Sequence, residues 1–411
     1  MARKTKAETE LLSEKTIALS DEQEHAIALC ADTSTRIAGV TGGAGTGKTT
    51  TLKQAYKEMN AIDSTVLCAP TGRAAKRITE LTGIPASTIH RLLEFPQPGE
   101  DGDPTEPGRN ASRRLDQRFV IVDESSMIGP TLYAQLMAAM RNNGCIRFFG
   151  DNNQLRPVEE GTPPFIGILE DKPSVTLSFN YRSEDEIVGN ANRILQGRIP
   201  VRNSRFEILY ATDPIKRLYE LADERFMRFD HQIIVPTRKG NYGTQRVNTS
   251  LQIQLNPEGE YLLLDRWEKE APPLSVRAND KFLWIKNDYN RSLFNGEIGR
   301  IADVDAHGGS LILDVEGRSP INVPPRDKMF NSYLGFNTLY DPRKSLDLGY
   351  AVTTHKSQGS EFDTVIYVIC TSHGWMLNRN NFYTAVTRAR NNVIVITDRR
   401  AMSRSMNRAK L

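Results

Sequence analysis

A chain of 411 residues, 39% hydrophobic and 25% charged, has room for roughly two to four domains and the composition of a protein with packed cores. Its 53 basic and 50 acidic residues leave a net charge of only +3, which excludes a uniformly basic nucleic-acid binder, so any basic track must be local. Four scattered cysteines (Cys30, Cys68, Cys145, Cys370) without a C-x-x-C pair exclude a disulfide framework and a zinc site and imply a reducing compartment; no apolar run approaches the ~18 residues of a membrane span.

Met1 to Lys15 mixes Lys, Arg and Glu without an apolar stretch, so residues 1–18 read as a tail rather than a signal peptide. Ser20-Asp21-Glu22-Gln23 opens a helix, with Ser20 as cap, Gln23 at the capping-box position and Ala26, Ile27 and Cys30 as its apolar stripe. Arg36 to Val40 reads as a buried strand and Thr49 to Tyr56 as a helix. Between them, Gly42-Gly43-Ala44-Gly45-Thr46-Gly47-Lys48-Thr49 fits G-x-x-x-x-G-K-[ST], the phosphate-binding loop. Gly42, Gly43, Gly45 and Gly47 let the backbone turn its N–H groups, with that of Thr46, toward phosphate oxygens, and the helix start adds positive charge. Lys48 can reach the terminal phosphates, the Thr49 hydroxyl can hold Mg²⁺, and Thr50 completes the nucleotide contacts.

Thr65 to Thr71 reads as a buried strand ending in a turn, followed by a helix over 72–81 rich in Arg and Lys (Arg73, Lys76, Arg77). Ser87 to Leu93 starts another short element. Residues 94–117, dense in Pro, Gly, Asp and Arg, read as an exposed insertion with the form of a short hairpin. Phe119 to Val122 is an apolar strand with Asp123-Glu124 at its carboxyl end, the arrangement of a Walker B pair. In that role Asp123 holds Mg²⁺ and Glu124 deprotonates the attacking water. Pro130 suits the first turn of the next helix, and Cys145 to Phe149 is a strand leading into Gly150 to Gln154. Alternating strands and helices predict a parallel α/β sheet, whose ligands bind at carboxyl strand ends.

The second half repeats this style, with strands expected at 175–179, 207–210, 231–235, 364–369 and 393–397 and no second phosphate loop. Between about 278 and 325 the texture becomes all-β, with Asn295-Gly296 and His307-Gly308-Gly309 as turn signals, which predicts a small inserted barrel. Phosphoryl transfer needs positive charge on its transition state. Arg182 and Arg388, both in the second half, are the candidate arginine fingers. The basic run from Arg399 to Lys410 and the pair His373 and Trp375 could reach nucleic acid or be ordinary surface and loop residues.

Nine segments in chain order together resemble the superfamily 1B DNA helicases, the branch of RecD and the phage Dda helicase. They are Leu19–Gln23, the phosphate loop, Ala69–Lys76, Ala86–His90, Val122–Met127, Gly150–Leu155, Asn180–Ser183, Thr353–Asp363 and Tyr383–Arg390. The resemblance implies an α/β protein of two RecA-like parallel-sheet domains, at 19–172 and at 173–270 with 340–411. A small barrel of the Src-homology-3 type at 271–339 interrupts the second; Lys286–Tyr289 and Phe294–Gly299 are its matching run.

By the same resemblance Gln23 reads adenine, Tyr181 stacks on the base, Gln154 senses the terminal phosphate, and Gly359 and Glu361 contact the nucleotide, Glu361 at its ribose. Lys48, Glu124, Gln154, Arg182 and Arg388 form the catalytic set, Thr49 and Asp123 the Mg²⁺ ligands, and ATP the nucleotide. Pro70, Thr71, Arg73, Thr88, His90, Thr354 and His355 line the DNA track. The implied activity is an ATP-dependent 5′-to-3′ DNA helicase. The short insertion, with no aromatic wedge beyond Phe95, keeps open a translocase that unwinds little, and an ATP-gated DNA-binding adaptor is the non-catalytic alternative. The expected partners are single-stranded DNA, single/double-strand junctions and a single-strand-binding protein. No membrane is expected, and the chain is expected to be a compact, Dda-like monomer in the cytoplasm of a bacterial or phage-infected cell.

Overall fold

The computed structural model describes residues 19–95, 106–157, 159–181, 186–266, 272–288, 290–331 and 336–408. The tail 1–18, Arg182, Tyr289, Lys410 and the middle of the insertion at 96–105 lie outside the described residues. Two parallel sheets carry the fold. The first has strands β1 (Ile37–Gly42), β2 (Thr65–Ala69), β3 (Ala86–Thr88), β4 (Phe119–Val122), β5 (Cys145–Gly150) and β6 (Ser174–Leu177) in the order β3-β2-β4-β5-β1-β6. β4 and β5 are buried along their whole length, as strands covered by helices on both faces must be; β4 is an unbroken apolar run, and the one charge in β5, Arg147, donates to the carbonyls of Cys30, Asp32 and Thr35.

In chain order follow β7 (Phe206–Tyr210), β8 (His231–Val235), the hairpin β9 (Tyr261–Leu264) and β10 (Leu274–Arg277), then β11 (Lys281–Trp284), β12 (Ile298–Val304), β13 (Leu311–Asp314) and β14 (Ile321–Val323). After them come the hairpin β15 (Asp327–Asn331) and β16 (Phe336–Tyr340), then β17 (Leu346–Leu348), β18 (Ala351–Thr353), β19 (Phe362–Ile369) and β20 (Ala389–Thr397). The second parallel sheet runs β18-β8-β19-β20-β7, and the inserted sheet is antiparallel, β14-β13-β12-β11-β17.

Two expectations need correcting. The strand expected at 175–179 opens no second sheet: β6 pairs in parallel with β1, Val40 opposite Val175, so the first sheet continues past residue 172. The inserted sheet does not end at 339 either, because β17 pairs with β11, Phe282 opposite Leu348. Its core is continuous with the second parallel sheet, where Phe282, Trp284 and Ile301 pack in one cluster with Ile233, Val235 and Val247. The four cysteines are buried and free. The basic segment after Asp398 is a packed helix, Arg399–Asn407, burying Ala401, Met402 and Met406. No helix among the described residues is long and apolar enough to cross a membrane.

Candidate functional site

The carboxyl ends of β1, β2, β4 and β5 point the same way and deliver the phosphate loop, Pro70-Thr71, Asp123-Glu124 and Gln154 to one rim. The second sheet meets this rim with the amino ends of β19 and β20, bringing Gly359, Glu361 and Arg388 across a cleft of about 490 Å³. Gln23, Gly43, Gly45, Thr46, Thr49, Thr50 and Tyr181 line the same cleft.

The loop takes its shape from its glycines. Gly45 and Gly47 have φ of 81° and 79°, the left-handed region that L side chains avoid. A Cβ at Gly47 would also lie 2.5 Å from Gln23 Nε2. Lys48 opens the helix Lys48–Ile62 and folds back, donating from Nζ to the carbonyls of Gly42 at 2.6 Å and Gly43 at 2.9 Å. Thr46 Oγ1 donates to the Gly43 carbonyl at 3.0 Å.

Asp123 and Glu124 follow β4 directly. Burial, with the neighbouring Glu124 carboxylate, pushes the Asp123 carboxyl up to about 6; the Glu124 N–H, 2.8 Å from Oδ1, opposes this. Glu124 itself holds a φ of 51°, a strained conformation for a non-glycine residue that aims its side chain from the strand end. Asp123 and Thr49, both half-buried, are the groups here that could hold a divalent cation: a carboxylate and a hydroxyl are hard oxygen donors, and a carboxylate whose pKa is raised gains from a nearby cation.

Two polar groups in this cleft lack partners. Gln154 and Arg388 are each 5% exposed, and Gln154 Oε1 and Arg388 Nη1 are buried without a hydrogen bond. The rest of the guanidinium is anchored, Nε donating to the Thr384 carbonyl at 3.1 Å and Nη2 to Thr387 Oγ1 at 3.3 Å. An unsatisfied buried guanidinium N–H is costly unless a ligand completes it.

At the far end of the cleft, Ser20 and Gln23 form the expected capping box. Gln23 does more than cap: its Oε1 accepts from the Ser20 N–H at 3.1 Å and from the Tyr181 hydroxyl at 2.6 Å, and Nε2 donates to the Gly47 carbonyl at 3.5 Å. The Glu22 carboxylate accepts from the N–H groups of Ser178 and Phe179, pinning the segment that carries Tyr181. Glu361, expected at the ribose, forms an ion pair with Arg77 of the helix Gly72–Thr82, 2.5 Å apart across the cleft.

A family model described as an AAA domain matches residues 18–217, and one described as a UvrD-like helicase C-terminal domain matches residues 348–396. The ATP-dependent RecD2 DNA helicase of Deinococcus radiodurans is 35% identical over 362 residues, 86% of this chain and 46% of that one. The RecBCD enzyme subunit RecD of Mycolicibacterium smegmatis is 27% identical over 408 residues, covering 87% of this chain and 67% of the subunit. The resemblance to RecD-like superfamily 1B helicases thus runs along most of the chain. The chain spans under half the length of the Deinococcus relative. Among solved structures, Pif1 helicase from Bacteroides in complex with ADP-AlF3 and ssDNA superposes with a TM-score of 0.60 at 20% identity over 92% of each chain. Pif1 from Candida albicans gives 0.58 at 19% identity, over 94% of this chain and 98% of that one. At such identities the likeness is one of fold: RecA-like parallel-sheet domains arranged as in Pif1.

In this RecD-like chain the residues expected on a nucleic-acid track divide. Pro70 and Thr71 lie partly exposed at the end of β2, and Thr71 caps the helix Gly72–Thr82 by accepting from the Ala74 N–H. Thr88 is 3% exposed and caps the helix Ile89–Leu92, while the His90 ring packs against Phe95 with centroids 4.9 Å apart. His355 is half-buried, its imidazole pKa lowered by burial, and lines a second cavity of about 790 Å³.

One of these expectations is corrected. The Thr354 side chain does not face the track: it is fully buried and donates to Asn381 Oδ1 at 2.7 Å. Arg73, half-buried, lines a cavity of about 350 Å³ with Thr71 and His355, while its Nη1 donates to the Gly296 carbonyl at 3.0 Å and its guanidinium lies over the Phe362 ring. The expectation for Arg182 lies outside the described residues.

Sequence reasoning missed the basic rim of the larger cavity, where Arg156, Arg238, Lys344 and Lys356 surround an apolar floor that includes Leu283 and Ile285. Trp375 stands at this rim, 66% exposed. No periodicity marks such residues, since they come from five separated segments. His373, weighed with Trp375, is instead buried, its Nδ1 accepting from the Cys370 N–H at 3.0 Å and its Nε2 facing the Tyr242 carbonyl at 3.1 Å.

Proposed function

We propose that this chain is an ATP-dependent DNA helicase that moves 5′ to 3′ on single-stranded DNA and hydrolyses ATP in the cleft between two RecA-like domains. The observation that carries this reading is the pair of unpartnered groups, Gln154 Oε1 and Arg388 Nη1. Both residues line the cleft that the phosphate loop lines, one from each sheet. A terminal phosphate there would complete Arg388 and lie beside Lys48, while Glu124 would take the proton of the attacking water. Gln23 and Tyr181 would hold the adenine, with Tyr181 stacking on it, and Gly359 and Glu361 would contact the nucleotide's sugar side. Arg182 would act as a second finger. Mg²⁺, held by Thr49 and Asp123, would neutralise charge on the phosphates.

Single-stranded DNA would run over Pro70-Thr71, Thr88, His90 and His355, with junctions at the insertion and a single-strand-binding protein as a further partner of the monomer. The five-stranded antiparallel insert supports a Src-homology-3-type barrel, with the first domain at 19–177 and the second split around the insert.

Partial duplexes with either a 5′ or a 3′ single-stranded tail test the function: unwinding confined to 5′-tailed substrate is expected, and preference for the 3′ tail would reject the polarity. The second reading, a translocase with little unwinding, is favoured by Phe95 lying packed on His90 rather than free. It predicts DNA-stimulated ATP turnover without strand separation, whereas an adaptor predicts no turnover.

A pH dependence follows from Asp123. Its carboxyl is pushed up to about 6 without cation, so the proton competes with Mg²⁺ as pH falls through that value. Mg²⁺-dependent nucleotide affinity should be flat above pH ~7 and weaken by about tenfold per pH unit below ~6. Titration with a fluorescent ATP analogue across this range, with and without Mg²⁺, checks it; Mg²⁺-free binding should lack the same slope.

A further inference from the structure

Three segments of the cleft meet at one hydroxyl. Tyr383 is 1% exposed on the helix Arg379–Val386, and its ring belongs to the core of the second sheet, with Tyr367 and Phe382. Only the hydroxyl crosses to the first domain. It donates to Asp151 Oδ2 at 2.7 Å and accepts from the Ala44 N–H of the phosphate loop at 3.1 Å. The loop passes so close that a Cβ at Gly43 would lie 3.3 Å from this oxygen. Burial and the Asp151 carboxylate both raise the phenol's pKa, so it remains a donor.

The same helix face holds the rest of the loop that carries Gln154. Asn380 Nδ2 donates to the Asn153 carbonyl at 2.7 Å, and Thr384 Oγ1 accepts from the Leu155 N–H at 2.9 Å. Asn380, Tyr383 and Thr384 stand at i, i+3 and i+4, one face of a helix. Arg388 follows within five residues, its guanidinium tied to the Thr384 carbonyl.

We propose that Tyr383 is a positioning residue, whose hydroxyl locks the phosphate loop, the Asp151–Leu155 loop and the segment bearing Arg388 into one unit when the cleft is shut. Separating the two domains must break both of its hydrogen bonds, because its ring stays with the second sheet while Ala44 and Asp151 stay with the first. The contact therefore favours the closed arrangement, in which Gln154, Arg388 and the phosphate loop line one cleft. This rests on the reading of the cleft as an ATP hydrolysis site.

Tyr383→Phe removes the hydroxyl and keeps the ring, so the core is preserved. Steady-state ATP hydrolysis with single-stranded DNA is measured for wild type, Tyr383→Phe, Asp151→Ala, their double variant and Lys48→Ala, together with melting temperature and affinity for ADP-aluminium fluoride. Tyr383→Phe should lose on the order of tenfold in kcat and in affinity for the transition-state mimic, while KM for ATP and melting temperature stay near wild type. The double variant should lose little more than the worse single variant, as residues sharing one link do.

A kcat within about twofold of wild type overturns the proposal, as does an effect on KM or melting temperature alone. The Lys48→Ala arm keeps the two readings apart. Wild-type turnover in that variant sinks the site itself, whereas an inactive Lys48→Ala beside a fully active Tyr383→Phe rejects only the role of Tyr383.

Discussion

Arg388→Ala is expected to lower the DNA-stimulated kcat by about 10³–10⁵-fold, the range for losing an arginine finger, with ATP binding retained. The magnitude follows from geometry. The guanidinium is buried and held at Nε and Nη2, with Nη1 left unpartnered in a residue that lines the cleft, so a donor is held in place there. Charge that develops on the terminal phosphate in a water-poor cleft would be met by a donor already in place, whereas ground-state binding can draw on the loop amides and Lys48. Arg388→Lys should recover little, since an ammonium on a shorter reach cannot keep both anchors and still present a third donor. Single-turnover hydrolysis alongside nucleotide affinity checks this; a loss confined to affinity would place Arg388 in binding rather than in rate.

Lys48→Ala should reduce ATP turnover by at least on the order of 10²–10³-fold, the cost of removing one fixed positive donor at the reacting group. It should weaken nucleotide affinity as well, which distinguishes it from Arg388→Ala. Lys48 Nζ binds the Gly42 and Gly43 carbonyls, and Gly43 lines the cleft, where water can replace the ammonium. The melting temperature should therefore move by only a few degrees, and circular dichroism should be unchanged. ATP hydrolysis and thermal unfolding measured on the same preparation decide the point; turnover at the wild-type rate would remove Lys48 from the site.

Gln23 illustrates how a sequence can carry two true readings at once. Its spacing from Ser20 makes a capping box, and the box is present, yet the same amide faces the cleft and binds Tyr181. Thr354 went the other way. The helicase resemblance implied a hydroxyl on a track, but the short helix Thr354–Ser357 turns that hydroxyl inward onto Asn381. The strand β6 was visible in the alternation of Val175, Thr176 and Leu177, but its partner was not, because local pattern specifies a strand and not the edge it joins. β17 is three residues long, too short for any periodicity to register.

The sequence by itself determined the phosphate loop, the acid pair after β4, the order of the motifs and the alternation that makes parallel sheets. These depend on contiguous residues whose backbone and hydrophobic demands are local. Tertiary structure alone decided which groups meet across the cleft: Arg77 with Glu361, Arg73 with Gly296, and Tyr383 with both Ala44 and Asp151. Those pairs join residues far apart in the chain. Only the packing of two sheets against each other brings them within hydrogen-bond reach, and nothing in the spacing of the chain encodes that distance.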